Sequence, residues 1–106
     1  MWVFTKHGFF SAVQNYNNSE QIHVRARFRG DLERLCKSYG IKEAVVKKPG
    51  TDYPYRMDFE RTDWVRIMAC EAEAIDYDSF KDAVHDGTVR DSAYLKVWST
   101  LRHAQN

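Results

Sequence analysis

The sequence predicts an α+β fold in which four antiparallel strands form one sheet and helices cover one face of it. Alternation of polar and apolar residues marks the extended segments, and apolar residues at three-and-four spacing mark the helical segments between them. The order strand, strand, helix recurs along the chain, and an antiparallel sheet with helices on one side buries every apolar face. We therefore expect a two-layer sandwich, ferredoxin-like or permuted, with the order ββαββα followed by further helices at the carboxyl end.

Length and charge limit the alternatives. The 106 residues, 43% of them hydrophobic, suffice for a single core, so residues 1–106 are expected to form one domain. Residues 1–61 hold 11 Lys and Arg against 7 Asp and Glu, whereas residues 62–106 hold 5 against 8. The net charge of +1 does not indicate a strongly basic nucleic-acid binder.

Two strand regions open the chain. Residues 2–5 and 9–14 are rich in aromatic and β-branched residues, and His7 with Gly8 between them suits a turn or a bulge. They form either one bent strand or two short ones. After a polar turn, residues 22–29 alternate apolar with cationic side chains, so this strand should present a row of cations on one face and pair antiparallel with the preceding strand.

A helix and a second hairpin come next. Gly30 supplies a break and Asp31 a carboxylate suited to a helix amino terminus, while Gly40 is placed to end the helix. Residues 43–48 and 55–60 read as two strands joined by a loop that contains prolines and a glycine.

The last part of the sequence predicts three helices. Thr62 and Asp63 suit the cap of the first, which should end near Asp76. Its inward positions are expected to be Val65, Met68, Ala72 and Ile75, with Trp64 and Ile67 widening the apolar stripe. A short helix capped by Asp78 precedes a break at Asp86 and Gly87.

The final helix carries an aromatic face and is expected to fray from Arg102 onward. Its apolar positions are Tyr94, Val97, Trp98 and Leu101. This face is either part of the core or a surface for a protein partner or a second copy of the chain.

Cysteine and histidine usage points away from metal and cofactor chemistry. Cys36 and Cys70 lie in apolar helical patterns without metal-ligand spacing and read as buried free thiols. The histidines are His7, His23, His85 and His103, and no two of them share a ligand spacing. No metal, cofactor or catalytic constellation is predicted, and the absence of a membrane-length apolar run or signal-like start leads us to expect a cytoplasmic protein.

Several short stretches of the chain also carry a resemblance to a known family. They are residues 1–5 with Gly8, Phe9, Phe10 and Ser11; residues 52–56; residues 75–81; and Tyr94 with Val97 and Trp98. In these stretches the chain resembles a family of small bacterial proteins of unknown function. The resemblance implies a bacterial single-domain protein and supplies no catalytic residue.

The cationic strand is the first candidate site. Its outward residues are His23, Arg25, Arg27 and Arg29, and Arg56 is expected on the same face. Guanidinium groups suit bidentate recognition of phosphate. Alternatively, cross-strand pairing with Asp58 and Glu60 neutralises these charges. The aromatic side chains Phe28, Tyr55 and Phe59 fall on the inward phase, which weakens an RNA-binding interpretation because base stacking needs exposed rings.

A second candidate site combines two loops. Tyr53 and Arg56 in the loop of residues 52–56, together with Asp76 and Lys81, offer phenol, carboxylate and cationic groups, although turn formation and helix capping explain the same residues.

Three hypotheses about function follow. The first is a small non-enzymatic binding or interaction module. The second is a nucleic-acid or phosphate-ligand binder that uses the cationic strand. The third is an enzyme with its site between residues 52–56 and residues 76–81.

Overall fold

The structure, a computed structural model, describes residues 1–105 and contains one antiparallel sheet and four helices within them. The strands are β1 (Trp2–Thr5), β2 (Gly8–Asn15), β3 (Asn18–Ala26), β4 (Val46–Lys47) and β5 (Tyr55–Glu60). The helices are α1 (Arg29–Tyr39), α2 (Arg61–Glu73), α3 (Phe80–Ala83) and α4 (Val89–Ala104). The α+β class with an antiparallel sheet is confirmed.

The chain divides into two compact units, Met1–Ile75 and the segment from Asp76 onward. The first holds the sheet with α1 and α2, and the second holds α3 and α4. The expectation of a single domain stays a prediction.

The sheet has five strands in the order β1-β2-β3-β5-β4, one more than the four predicted. The extra strand arises because the segment around His7 forms a turn, so that Thr5 pairs with Gly8 and residues 2–5 fold back on β2. β4 is shorter than predicted, with Val46 and Lys47 as its two residues. β5 has the predicted bounds.

The core lies between one face of the sheet and helices α1 and α2. Its sheet residues include Phe10, Val24 and Phe59, each fully or almost fully buried, and Leu35 and Ile67 reach it from the helices. Because side chains alternate along each strand, burial of this face leaves Trp2, Phe4, Phe9, Ser11, Val13, His23, Arg25, Arg56 and Asp58 on the opposite face. We call this opposite face the open face.

The residues between β3 and α1 differ from the prediction. β3 ends at Ala26 and α1 begins at Arg29, so Phe28 does not belong to the sheet and is exposed. The prediction that Phe28 points inward is therefore wrong, since the alternation stops where the backbone leaves the sheet. Gly40 ends α1 in the left-handed conformation, as predicted.

Helix α2 buries a different stripe from the predicted one. Ile67 is 0% exposed and Trp64 is 5% exposed, whereas Val65 and Ile75 are exposed by more than half. Ala72 is also exposed, and Met68 is partly buried. The helix also stops at Glu73, and Glu60 rather than Thr62 or Asp63 occupies its cap position. Trp64 and Ile67 lie three positions apart on one face of the helix, and Trp64 brings more apolar area to that face than Val65 or Ala72 brings to another.

The second unit partly matches its prediction. The short helix has Ser79 rather than Asp78 at its cap position, and α4 is capped by the Thr88 side chain, which accepts a hydrogen bond from Asp91 N. α4 continues to Ala104, beyond Arg102 where fraying was expected. Tyr94 is buried, but Val97, Trp98 and Leu101 are exposed, so the core interpretation of the aromatic face holds for Tyr94 alone.

No helix within residues 1–105 combines the length and the apolar character needed to cross a membrane.

Candidate anion-binding site

The open face carries three arginines gathered around one tyrosine. Arg25 and Arg56 face each other directly across β3 and β5, and Arg27 follows the end of β3. The guanidinium carbons of Arg25 and Arg27 lie 4.8 and 4.5 Å from the centre of the Tyr53 ring. Arg56 Nε donates to the Tyr53 carbonyl oxygen over 2.9 Å. We call Arg25, Arg27 and Arg56 the arginine cluster.

Tyr53 reaches this position because the loop between β4 and β5 folds over the sheet. Its side chain is 4% exposed, and the ring lies 6.3 Å from the ring of Phe9. Two further bonds hold the loop, from Thr51 Oγ1 to the Tyr53 carbonyl and from Arg27 Nη1 to the Asp52 carbonyl. The loop therefore provides a fixed aromatic surface beneath two guanidinium groups.

Within residues 1–105, no carboxylate lies at ion-pairing distance from any member of the arginine cluster. The cluster binds only neutral groups: carbonyl oxygens, the Tyr53 ring and Ser11 Oγ, which accepts from Arg25 Nη2 over 2.8 Å. Arg25 Nε is buried and has no acceptor. Buried donors without acceptors are uncommon, and this one leaves Arg25 with an unmet hydrogen bond.

Several other arginines of the chain are paired with neighbouring carboxylates. Arg29 binds Glu33 and Glu43 over 3.0 and 2.8 Å, so this predicted site residue is engaged in surface ion pairs. Arg34 pairs with Asp31, and Arg66 lies 3.7 Å from Asp63. Arg61 also binds neutral oxygens, those of Ser19 and Gln14, so the arginine cluster is distinguished by having three such arginines side by side.

Cross-strand pairing with a carboxylate, the alternative interpretation, is observed at one residue of the cationic strand. His23 Nδ1 lies 2.9 Å from Asp58 Oδ1, directly across the strands. Glu60 instead accepts a hydrogen bond from Gln21. Since Arg25 lies opposite Arg56, the register places like charges together where pairing of opposite charges was considered.

Asp76 and Lys81, the remaining predicted site residues, belong to the second unit. The Lys81 ammonium lies 4.9 Å from the centre of the Trp98 ring, and Lys81 also lines a cavity of about 250 Å³. The other residues around this cavity are Asp82, His85, Asp91, Tyr94 and Leu95. A site shared by residues 52–56 and 76–81 stays a prediction.

The sequence analysis did not identify the aromatic side chains of the open face. Trp2 is 71% exposed, and the rings of Phe4 and Phe9 are stacked with their centres 4.5 Å apart. Phe9 and Phe10 are consecutive aromatics on opposite faces of β2, so alternation alone does not tell which one is buried. The one available signal is that residues 2 and 4 share a face of a strand.

A second polar network joins three elements of the first unit. His7 Nε2 lies 2.9 Å from Ser38 Oγ, and His7 Nδ1 lies 2.5 Å from Glu71 Oε1. The Tyr39 hydroxyl donates to Glu71 Oε2 over 2.8 Å. Desolvation, followed by the hydrogen bond to Glu71, raises the pKa of Tyr39 above its ordinary value.

The Ser38, His7 and Glu71 arrangement has the connectivity of a serine–histidine–carboxylate triad, but its location is unfavourable for one. Ser38 lies in the last turn of α1, where a helix presents carbonyl oxygens and a negative field. Acyl transfer needs N–H donors or positive charge where the oxyanion develops. We therefore interpret this network as a structural link between the β1–β2 turn and helices α1 and α2.

Comparisons with known proteins return no match to a family model, a curated protein or a solved structure. The resemblance to small bacterial proteins stays a prediction, and the functional argument depends on the geometry of this chain. Within residues 1–105, no group of three or more His, Cys, Asp or Glu side chains is placed to hold a metal ion.

Proposed function

We propose that this protein is a non-enzymatic binding module whose ligand carries phosphate groups, and that the arginine cluster binds them. The observation that supports this most directly is the gathering of three guanidinium groups around Tyr53 without a carboxylate partner among residues 1–105.

The arrangement has an electrostatic cost that an anion would remove. Arg25 and Arg56 lie in register on adjacent strands, and like charges in that position are destabilising. The Tyr53 ring offsets part of the repulsion, since a cation over an aromatic face gains about 0.5–2 kcal/mol. A phosphate group offers the remaining compensation, because its oxygens match the fork of donors on each guanidinium.

We further propose that the fold is a permuted ferredoxin-like arrangement. The order β2-β3-β5-β4, with α1 after the first hairpin and α2 after the second, supports this assignment. In this arrangement both helices pack on one face of the sheet, and the arginine cluster lies on the other face.

The test is a titration with inorganic tripolyphosphate, followed by amide chemical shifts of the labelled protein. We expect shifts at Arg25, Arg27 and Arg56 that weaken as salt rises from 50 to 200 mM. Arg27→Gln is the informative variant, since Arg27 is exposed and its replacement leaves the core intact. We expect it to weaken binding by about 10-fold or more, in keeping with a charge-assisted hydrogen bond.

Arg29→Gln is the matched control, because Arg29 is also exposed and belongs to the same sequence pattern but is bound to Glu33 and Glu43. Equal binding by the two variants, or no binding by the wild-type protein, would contradict the proposed function.

A further inference from the structure

The arginine cluster is continuous with a row of aromatic side chains on the same face of the sheet. Trp2, Phe4 and Phe9 form this aromatic row, in which Phe9 lies 4.5 Å from Phe4 and 6.0 Å from Trp2 between ring centres. Trp2 is 71% exposed. Most of its indole surface is thus available to a ligand.

The pairing of the strands places Trp2 of the aromatic row on one line across the sheet with Arg25 and Arg56 of the arginine cluster. Trp2 lies opposite Ser11, Ser11 opposite Arg25, and Arg25 opposite Arg56. Adjacent strands are ~4.8 Å apart, so the line from Trp2 to Arg56 is about 14 Å long. Phe9 and Tyr53, with ring centres 6.3 Å apart, fill the space beside it.

We propose that this line is a binding surface for single-stranded nucleic acid, with phosphates at the arginine cluster and unpaired bases stacked on the aromatic row. This inference rests on the proposed function and names the class of its ligand. A ligand that repeats both phosphates and flat aromatic groups over this length fits the surface.

The chemistry favours a single strand over a duplex. Ring faces are accessible to a protein aromatic side chain only when the bases are unpaired, and stacking of bases on side chains is how single strands are bound without sequence preference. The modest charge of the first unit, with 12 Lys and Arg against 10 Asp and Glu in residues 1–75, suits a short contact rather than a long polyanion track.

The decisive measurement is fluorescence anisotropy of labelled dT10 and rU10 oligonucleotides with three variants of the full chain. Trp2→Ala should weaken binding by about 10-fold or more because it removes one stacking platform, and Trp2→Phe should restore most of the loss. Trp98→Ala is the matched control, since Trp98 is another exposed tryptophan and belongs to the second unit. We expect it to bind within twofold of wild type.

The salt dependence gives an independent readout of the phosphate contacts. Three contacts to a single strand predict a slope of log K against log salt near −2, which corresponds to ~20-fold weaker binding between 50 and 200 mM salt. Arg27→Gln should make this slope shallower by about 0.7.

The tripolyphosphate titration separates the two proposals. Tripolyphosphate binding that depends on Arg27, combined with oligonucleotide binding that is absent or unchanged in Trp2→Ala, would overturn the nucleic-acid inference and leave the proposed function in place. A double-stranded oligonucleotide bound as tightly as dT10 would also overturn it. If the wild-type protein binds neither tripolyphosphate nor oligonucleotides, both the proposed function and the nucleic-acid inference are refuted.

Discussion

Replacement of Gly8 by alanine tests how the β1–β2 turn is joined to helix α1. Gly8 is buried at the start of β2 with a φ of +156°. A Cβ at this position would overlap the carboxyl group of Asp31, which is 1% exposed. That carboxylate accepts a hydrogen bond from Phe9 N over 3.1 Å and pairs with Arg34. Asp31 therefore cannot move without disrupting its own bonds.

Beyond the backbone cost that a side chain meets at this positive φ, the expected cost has two contributions. Forcing an extra carbon into a packed site costs about 1–3 kcal/mol. Displacing Asp31 leaves the partly buried Phe9 N–H without its acceptor, which costs about 1–3 kcal/mol more. Together these two contributions should lower the free energy of unfolding of Gly8→Ala by about 2–6 kcal/mol, a large part of the stability of a domain of this size.

The assay is urea unfolding of the full chain, with Gly50→Ala as the matched control. Gly50 has a φ of +80°, and a Cβ added there would meet no neighbouring group within 4 Å. Its replacement should therefore cost only about 1–2 kcal/mol, for the left-handed backbone. The reasoning is refuted if Gly8→Ala is no more destabilising than Gly50→Ala, because the contact with Asp31 would then have no measurable effect.

Three further predictions concern the core, a thiol and a helix cap. Because Ile67 is buried and Val65 is exposed, Ile67→Ala should destabilise the protein by about 2–5 kcal/mol in urea unfolding and Val65→Ala by less than about 1 kcal/mol. Equal losses would contradict the observed rotation of α2. Cys36 should resist iodoacetamide at pH 8 until urea unfolds the chain, because burial raises the pKa of its thiol to about 11. This pKa lies above the ordinary value of 9.0, so between pH 9 and 11 the unfolded chain loses the thiol proton more readily than the folded chain does. The contribution of the Cys36 thiol to stability is therefore complete below pH 9 and is lost as the pH rises toward 11, and urea unfolding at pH 8 and 10 would detect the loss. Thr88→Ala should reduce helicity by circular dichroism through loss of the α4 cap, worth about 1 kcal/mol, and unchanged helicity would count against it.

Features set by local sequence were predictable. The strand Tyr55–Glu60 has the predicted bounds, and α1 ends at Gly40, because a period of two and a glycine in the left-handed conformation are properties of a few neighbouring residues. The rotation of α2 was not predictable in this way. Apolar residues cover much of that helix, and the side chains that enter the core depend on what the sheet presents to them.

The candidate site shows the same division between local and long-range information. The sequence by itself determined that Arg25 shares a strand face with His23, since alternation along a strand is local. Only the tertiary structure decided that Arg25 meets Arg56 while His23 meets Asp58. A shift of register changes which side chains lie opposite each other, and register is set by packing between residues far apart in the chain. The same long-range pairing aligned Trp2 with these arginines, so composition and periodicity could indicate the charges but not the aromatic surface beside them.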